Sequence, residues 1–358
     1  MTDLYQRYAR TLLIYFCVLL TGYMAMAVII DPFRVFGLTA LNERNMEPNT
    51  RYLKIEHLKK YRGFTGFVFG TSRSNAFRTD LLSELTGRKF YNLNAQSETP
   101  AGMLQKLRWL VANQRVEAII IGLDFDEIDQ PIARDPSDLQ RREHPAVGGE
   151  TMTAFRYRYL WPNFKHLAIT VYGNFFRSAT WYRYDSKEGR HAFPYYRAWM
   201  KRDPAGYIAN RFPIISKKRG YTPNPEQMQK LRETIELARR HGIKVTTIVN
   251  PTNQRLFRSY KPDIYARWLR QVIDIAGQVW DFSGPNCVTG NDRFYYDMSH
   301  ITEEGADIVL NQIFKTNSGG AVLMCHFGIL LTRDNIMQRS QAMAKILRQP
   351  IPTGAKSP

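Results

Sequence analysis

Residues 67–74 read Phe67-Val68-Phe69-Gly70-Thr71-Ser72-Arg73-Ser74. A short apolar run entering a glycine is the pattern of a buried strand that ends in a tight turn. A helix-like stretch follows through Leu85. Outward from there, Phe90-Tyr91-Asn92-Leu93 reads as a second strand and 100–114 as a helix. Met103, Leu104, Leu107, Leu110 and Val111 recur at helical spacing, and Pro100 suits the first turn. Ala118-Ile119-Ile120-Ile121-Gly122-Leu123 is a continuous apolar run, as expected of a strand covered on both faces.

The pattern resumes further along the chain. Residues 223–241 predict an amphipathic helix closed by Gly242, and 244–250 a strand stopped by Pro251. Residues 262–276 read as a helix, 278–282 as a last short strand and 302–314 as a closing helix. Strands alternating with helices predict an α/β fold, a three-layer sandwich with a parallel sheet in the middle. Right-handed crossovers then bring the carboxyl ends of the strands to one edge. Ser72, Asp124 and Asn250 share that edge, where open α/β sheets place their sites.

Residues 11–30 read TLLIYFCVLLTGYMAMAVII, uncharged and as long as a helix must be to cross a bilayer. A cleaved signal is the competing reading, because Arg7 and Arg10 form a basic start and Ala25-Met26-Ala27 resembles a cleavage site. The apolar run is longer than a usual signal core and continues as Val28-Ile29-Ile30, which favours an uncleaved anchor. Arg7 and Arg10 favour a cytoplasmic N-terminus, with the large domain outside the cytoplasmic membrane. A mean hydropathy of -0.39 argues against many spans.

The formal charge is +18 and no nucleic-acid motif accompanies it. Anionic lipid head groups or acidic envelope polymers fit that charge beside an anchor; a generally basic solvated surface is the plainer reading. Of the three cysteines, Cys17 lies in the apolar segment. Cys287 and Cys325 could pair in an oxidising compartment, though the spacing does not require it. No CxxC and no His-x-x-x-His pair announces a metal site.

The expected layout is a short cytoplasmic segment 1–10, the transmembrane anchor 11–30, a polar connector 31–63 and a sheet domain 64–316 interrupted by an insert at 130–222. The insert is rich in arginine and aromatics, with eighteen Phe, Tyr or Trp between Phe155 and Tyr221. These suit a lid or a sugar-stacking groove, or simply pack the insert onto the main domain. The extension 317–358 carries an apolar stretch too short to span a membrane, and its end from Gln349 reads as disordered.

Two blocks carry chemistry. Ser72 sits on the turn after the first strand, where a hydroxyl is exposed and a helix N-terminus behind it favours negative charge. Serine is a weak nucleophile alone and needs a base. In Tyr296-Asp297-Met298-Ser299-His300, His300 can supply it, and Asp297 can orient the imidazole and stabilise its cation. Each has a plainer role available: Ser72 suits a helix cap, His300 a satisfied structural position, and Asp124 a hydrogen-bond acceptor at a strand end.

Together the blocks resemble the SGNH/GDSL hydrolase superfamily, in which a Gly-Asp-Ser-like block opens a flavodoxin-like domain and an Asp-x-x-His block closes it. The match covers 66–314 around the insert, with Gly70-Thr71-Ser72 at the opening and Asp297 to His300, then Gly305-Ala306, at the close. The anchored form resembles the envelope branch, which includes the alginate O-acetylation proteins and the protein that helps D-alanylate teichoic acid. The resemblance implies an O-acyl esterase or O-acyltransferase without cofactor or metal. Its partners would be an envelope glycan or acyl donor and a membrane-bound acyl-export component.

The resemblance is incomplete at the oxyanion hole. The family's glycine donor falls on Ser97, and its asparagine donor on Asp124, whose carboxylate would repel an oxyanion. Asn94 or Gln96 is the expected substitute, with the backbone N–H groups of Arg73 and Ser97 remaining. Asp124 and Ser97 also support a second expectation, a catalytically degenerate glycan-binding or assembly component of an envelope export system. Such donors contribute about 3–4 kcal/mol each to transition-state binding, so the oxyanion hole separates the two readings.

Overall fold

The computed structural model describes residues 2–38, 47–132, 135, 137–161, 163–177, 179–215, 217–315 and 327–350. The chain divides into two compact units. One comprises 1–55, 135–184 and 192–195; the other comprises 56–134, 185–191 and 196–358. Residues 130–222 therefore contribute to both.

In the first unit a continuous helix runs from Thr2 to Ile30. Its segment Asp3–Ile30 is long and apolar enough to cross a membrane. Leu12, Leu13, Phe16 and Leu19 lie exposed along it, whereas Ala27 near its end is buried. Asp31 stops the helix with a left-handed backbone, φ 42°. Its carboxylate accepts the N–H groups of Val35, Phe36 and Gly37 at 2.8–2.9 Å, folding the chain back on itself. Phe33, Val35, Tyr52, Phe155 and Tyr159 form the core of this unit. The expected connector is more ordered than its polar composition suggests, because Thr50–Lys60 is a helix whose Tyr52, Ile55 and Leu58 are buried.

The second unit holds a six-stranded, mostly parallel sheet. Its strands are β1 (Gly66–Phe69), β2 (Phe90–Asn92), β3 (Ala118–Leu123), β4 (Lys244–Val249), β5 (Val279–Asp281) and β6 (Ile329–Leu331). The order across the sheet is β2-β1-β3-β4-β5-β6. β1 to β5 are parallel, and β3 pairs with β4 from Ala118 opposite Lys244 to Leu123 opposite Val249. β1 and β3 are buried throughout, which is why both read as unbroken apolar runs.

The period of two along a strand divides the side chains between two cores. Val68, Ile120 and Ile248 pack with Leu82, Val309 and Leu310 on one face. Helices Pro100–Asn113, Pro225–Arg240 and Pro262–Ala276 pack together elsewhere in the unit, burying Leu107, Leu231, Ile235 and Trp268. Each begins with proline in its first turn; Thr99 and Asn224 cap the first two through their side chains. Each fully buried Leu or Ile side chain contributes about 1.5–3 kcal/mol through burial.

Two expectations are corrected. The helix-like stretch after Ser72 is a five-residue 3-10 turn, Ser72–Ala76, and an α-helix begins only at Thr79. Ser and Asn compete with helix hydrogen bonding through their own side chains, and Phe77 is extended at φ -69°, ψ 108°. Beyond 316 the chain adds β6, antiparallel to β5 with Leu331 opposite Val279, and a helix Ile336–Arg348. That helix buries Ile336, Met343, Ala344 and Leu347, and Arg339 pairs with Asp281 at 2.7 Å. The sheet edge supplies the partners that make this weakly patterned stretch regular. The expectation of disorder after Gln349 falls, from 351 on, outside the described residues. Cys17 is free and Cys287 is disulfide-bonded; Cys325 lies outside the described residues.

Candidate active site

Because β1 to β4 are parallel, the turns after their last residues all open on one edge. Ser72 follows β1, Asn94 to Ser97 follow β2, Asp124 follows β3 and Asn250 follows β4. The turn after β1 is built on close backbone approach. Gly70 has φ +147°, and a Cβ there would lie 2.1 Å from Ser74 Oγ. A Cβ on Gly122 would lie 2.2 Å from the same oxygen and 2.9 Å from Asn250 Nδ2. Thr71 caps the 3-10 turn, its hydroxyl accepting the Arg73 N–H. Asn92, fully buried, donates to the carbonyls of Ser74 and Phe77 at 2.9 and 3.2 Å and so holds the turn from below.

Ser72 Oγ lies 2.9 Å from His300 Nε2. His300 Nδ1 lies 2.9 Å from both oxygens of Asp297. The loop carrying these two residues is closed by a bridge between Tyr295 and Ile301, with the Tyr296 N–H donating to the His300 carbonyl at 2.8 Å. Asp297 Oδ1 also accepts the N–H groups of Ser299 and His300 at 2.7 and 2.9 Å. Burial raises the Asp297 pKa, but the facing imidazole and these N–H groups outweigh it and hold the carboxyl well below the ordinary carboxylate range. Arg211 adds a cation at 3.1 Å from Oδ2. Tyr207, from the same helix Pro204–Arg211, donates its hydroxyl to the Tyr296 carbonyl at 2.6 Å.

Beneath Ser72 lies a buried polar cluster. Asp124 accepts from Thr71 Oγ1 at 2.5 Å, from Arg73 at 3.1 Å and from Asn250 Nδ2 at 3.1 and 3.2 Å. Arg73 makes a bidentate pair with Asp126, both contacts at 2.5 Å. Burial works against the Arg73 charge, yet Asp126 and Asp124 keep it fully protonated, its pKa well above the ordinary arginine value. Burial likewise pushes Asp126 up, and Arg73 reverses this to leave its pKa lowered.

The conflict expected between Asp124 and an oxyanion resolves as a change of job. Both of its oxygens are occupied by the Ser72 turn and by Asn250. The Arg73 backbone N–H, expected as an oxyanion donor, donates to Thr71 Oγ1 at 3.2 Å. Asn94 is buried and directed at the same turn, its Nδ2 3.4 Å from the Thr71 carbonyl and its N–H on Asn92 Oδ1. Gln96 and Ser97 are half-buried, and Ser97 has a left-handed backbone at φ 47°. The Ala95 N–H donates to the Gly70 carbonyl at 3.0 Å, tying this turn to the one bearing Ser72.

Arg211, Tyr207, Asp126 and Asn92 were not among the expected site residues. Asp126 had a local signal, as the second carboxylate of Asp124-Phe125-Asp126 at a strand end. Arg211 had none, standing 86 residues before the carboxylate it meets. Among the described residues, no group of three or more His, Cys, Asp or Glu side chains could hold a metal ion. No protein-family model and no curated protein matches the chain.

The arrangement can move one proton along a defined path. A neutral imidazole with its hydrogen on Nδ1 donates to Asp297 and accepts at Nε2 from the Ser72 hydroxyl. Ser72 is half-buried, and the His300 side chain is 35% exposed, so both are open to a substrate entering from solvent.

Proposed function

We propose that the protein is a membrane-anchored, extracytoplasmic O-acyl esterase or O-acyltransferase of the SGNH/GDSL type, acting on a cell-envelope polysaccharide through an acyl-serine intermediate. The observation that carries this is the hydrogen-bonded series Ser72, His300, Asp297 at the carboxyl edge of a parallel sheet. The order of the five parallel strands, second-first-third-fourth-fifth, supports a flavodoxin-like core. The disulfide at Cys287 and the apolar helix Asp3–Ile30 support an anchored domain in an oxidising compartment. An acidic or anionic envelope polymer suits the charge of +18 better than nucleic acid does.

In this reading Ser72 Oγ attacks the ester carbonyl while His300 Nε2 takes its proton, and Asp297 stabilises the imidazolium. The tetrahedral species collapses, the C–O bond to the leaving alcohol breaks, and His300 returns the proton to that oxygen. Water or a sugar hydroxyl then repeats the sequence on the acyl-serine. The Ser97 N–H, on the turn tied to Gly70, remains the expected oxyanion donor.

The full chain in detergent, given an activated acetyl ester and a serine-directed phosphonate, tests this. A single mass addition on Ser72, with turnover lost in Ser72→Ala, is expected. An unlabelled Ser72, with turnover unchanged in Ser72→Ala, overturns the enzyme reading. A second reading, a degenerate glycan-binding or assembly component, is favoured by Asp124, whose oxygens are consumed structurally and supply no oxyanion donor. Glycan binding that survives Ser72→Ala, without labelling, supports it.

A further inference from the structure

In the first unit, the helix Phe164–Phe175 is inside out for a water-facing element. Its buried positions are Leu167, Thr170 and Gly173. Its exposed face carries Phe164, Ile169, Tyr172 and Phe175, continued by Phe176 beyond its end, at the spacing of one helical stripe. Together with Trp161 just before it, the aromatic members of this face are 53–72% exposed. A soluble surface helix buries its apolar stripe and exposes its polar one, and contiguous exposed apolar faces mark interaction sites.

The position of this face identifies its occupant. Tyr23, on the apolar helix Thr2–Ile30, packs against Phe164 with ring centroids 5.1 Å apart. Its hydroxyl accepts the Asn163 N–H at 2.6 Å and donates to the Trp161 carbonyl at 3.2 Å. Tyr23 stands seven residues before the helix ends at Ile30, about 10 Å back along its axis. With Asp3–Ile30 across a bilayer, that depth is the zone of head groups and upper acyl chains. Tyrosine and tryptophan concentrate there, because the ring is apolar and its tip is polar.

Basic side chains accompany the aromatics. Lys165 on this helix is exposed, and Arg177, just past its end, lies over the rings of Tyr172 and Trp181 at 5.5 and 4.6 Å. Arginine and lysine around an exposed aromatic stripe match anionic lipid head groups.

We propose that Phe164–Phe176 is a second membrane element, lying in the interfacial plane of the leaflet that Thr2–Ile30 emerges from and taking anionic lipid as its ligand. One spanning helix alone leaves a domain free to swivel about a single point. A second contact fixes its tilt against the bilayer.

The test uses the full chain in nanodiscs of phosphatidylcholine and phosphatidylglycerol, with Cys17→Ser so that one introduced cysteine carries a nitroxide. At Phe176→Cys the label is expected about 5–10 Å below the phosphate level, accessible to oxygen and shielded from a water-soluble nickel chelate. The same labelled chain unfolded in guanidinium chloride gives the fully chelate-accessible reference. A Phe164→Ser/Phe175→Ser variant, changed only at exposed positions, should shift a Tyr172→Cys label toward the aqueous value. Chelate access at Phe176→Cys equal to that of the unfolded reference overturns the proposal. So does dipolar broadening between labels, which would place a second copy of the chain on this face.

Discussion

Arg211 donates to Asp297 Oδ2 at 3.1 Å, on the carboxylate oxygen that the backbone N–H groups of Ser299 and His300 leave open. The guanidinium is fixed at two further points, with Nε 3.4 Å from the Tyr296 carbonyl and its plane over the Tyr196 ring at 4.7 Å. Arg211 therefore acts on the imidazole through the carboxylate and positions it. Arg211→Met is expected to lower kcat/KM about tenfold, a loss of about 1.4 kcal/mol, mostly in kcat. Arg211→Lys should restore only part of it, since an ammonium lacks the planar fork. Steady-state kinetics on the activated ester checks this. A change confined to KM would place Arg211 on the substrate instead.

Stability should depend on pH in a definite direction. The folded pKa values of Asp297 and Asp126 lie below the ordinary carboxylate value. The stability they contribute is therefore complete above the unfolded value of about 3.9 and drains away as pH falls through the folded values. Thermal midpoints should be level near neutrality and fall below about pH 4, more gently in Asp297→Asn. A midpoint that rises on acidification would contradict the ion-pair description.

Asp124 tests whether its carboxylate faces the reacting atoms or the scaffold. Its partners are Thr71, Arg73 and Asn250, so Asp124→Asn is expected to cost about 1–3 kcal/mol of stability without raising turnover. Chemical unfolding and ester kinetics on the same preparation read both. A tenfold gain in turnover would mean the carboxylate had been opposing the oxyanion.

Arg73 is the shared cation of Asp124 and Asp126, and its side chain is only 6% exposed. Removing it in Arg73→Met leaves two buried carboxylates without their partner, at a cost of about 3–5 kcal/mol. Arg73→Met combined with Asp126→Asn should recover part of that loss, because the double change removes the stranded charge. Thermal unfolding of the single and double variants measures the coupling.

Gly122 is the point where β3 passes under the turn that carries Ser72. Gly122→Ala would press a methyl group onto Ser74 Oγ and Asn250 Nδ2, with an expected cost of about 1–3 kcal/mol and a displaced Ser72. Loss of phosphonate labelling at temperatures where the variant is still folded is the diagnostic result.

The strands β1 to β5, the main helices between them and the candidacy of Ser72, Asp297 and His300 follow from local rules, whereas the order of the strands across the sheet came only with the structure. Apolar runs, proline starts and a glycine turn each involve residues close in the chain. The 3-10 geometry after Ser72 was not legible there, because it depends on Asn92 holding the carbonyls of Ser74 and Phe77 across a neighbouring strand. β6 was missed because three residues acquire strand geometry only where β5 offers an open edge.

By itself, the sequence determined an α/β chain with an apolar N-terminal helix and a serine and a histidine at opposite ends of the pattern. Tertiary structure alone brought Ser72 Oγ within 2.9 Å of His300 Nε2, 228 residues away. It also turned Asp124 from an apparent obstacle into an acceptor for Thr71, Arg73 and Asn250. The physical reason is the same in both cases. A side chain's role is set by the groups that face it, and here those are distant in the chain: Thr71 and Arg73 after β1 and Asn250 after β4 surround Asp124 after β3 only once the parallel sheet has assembled.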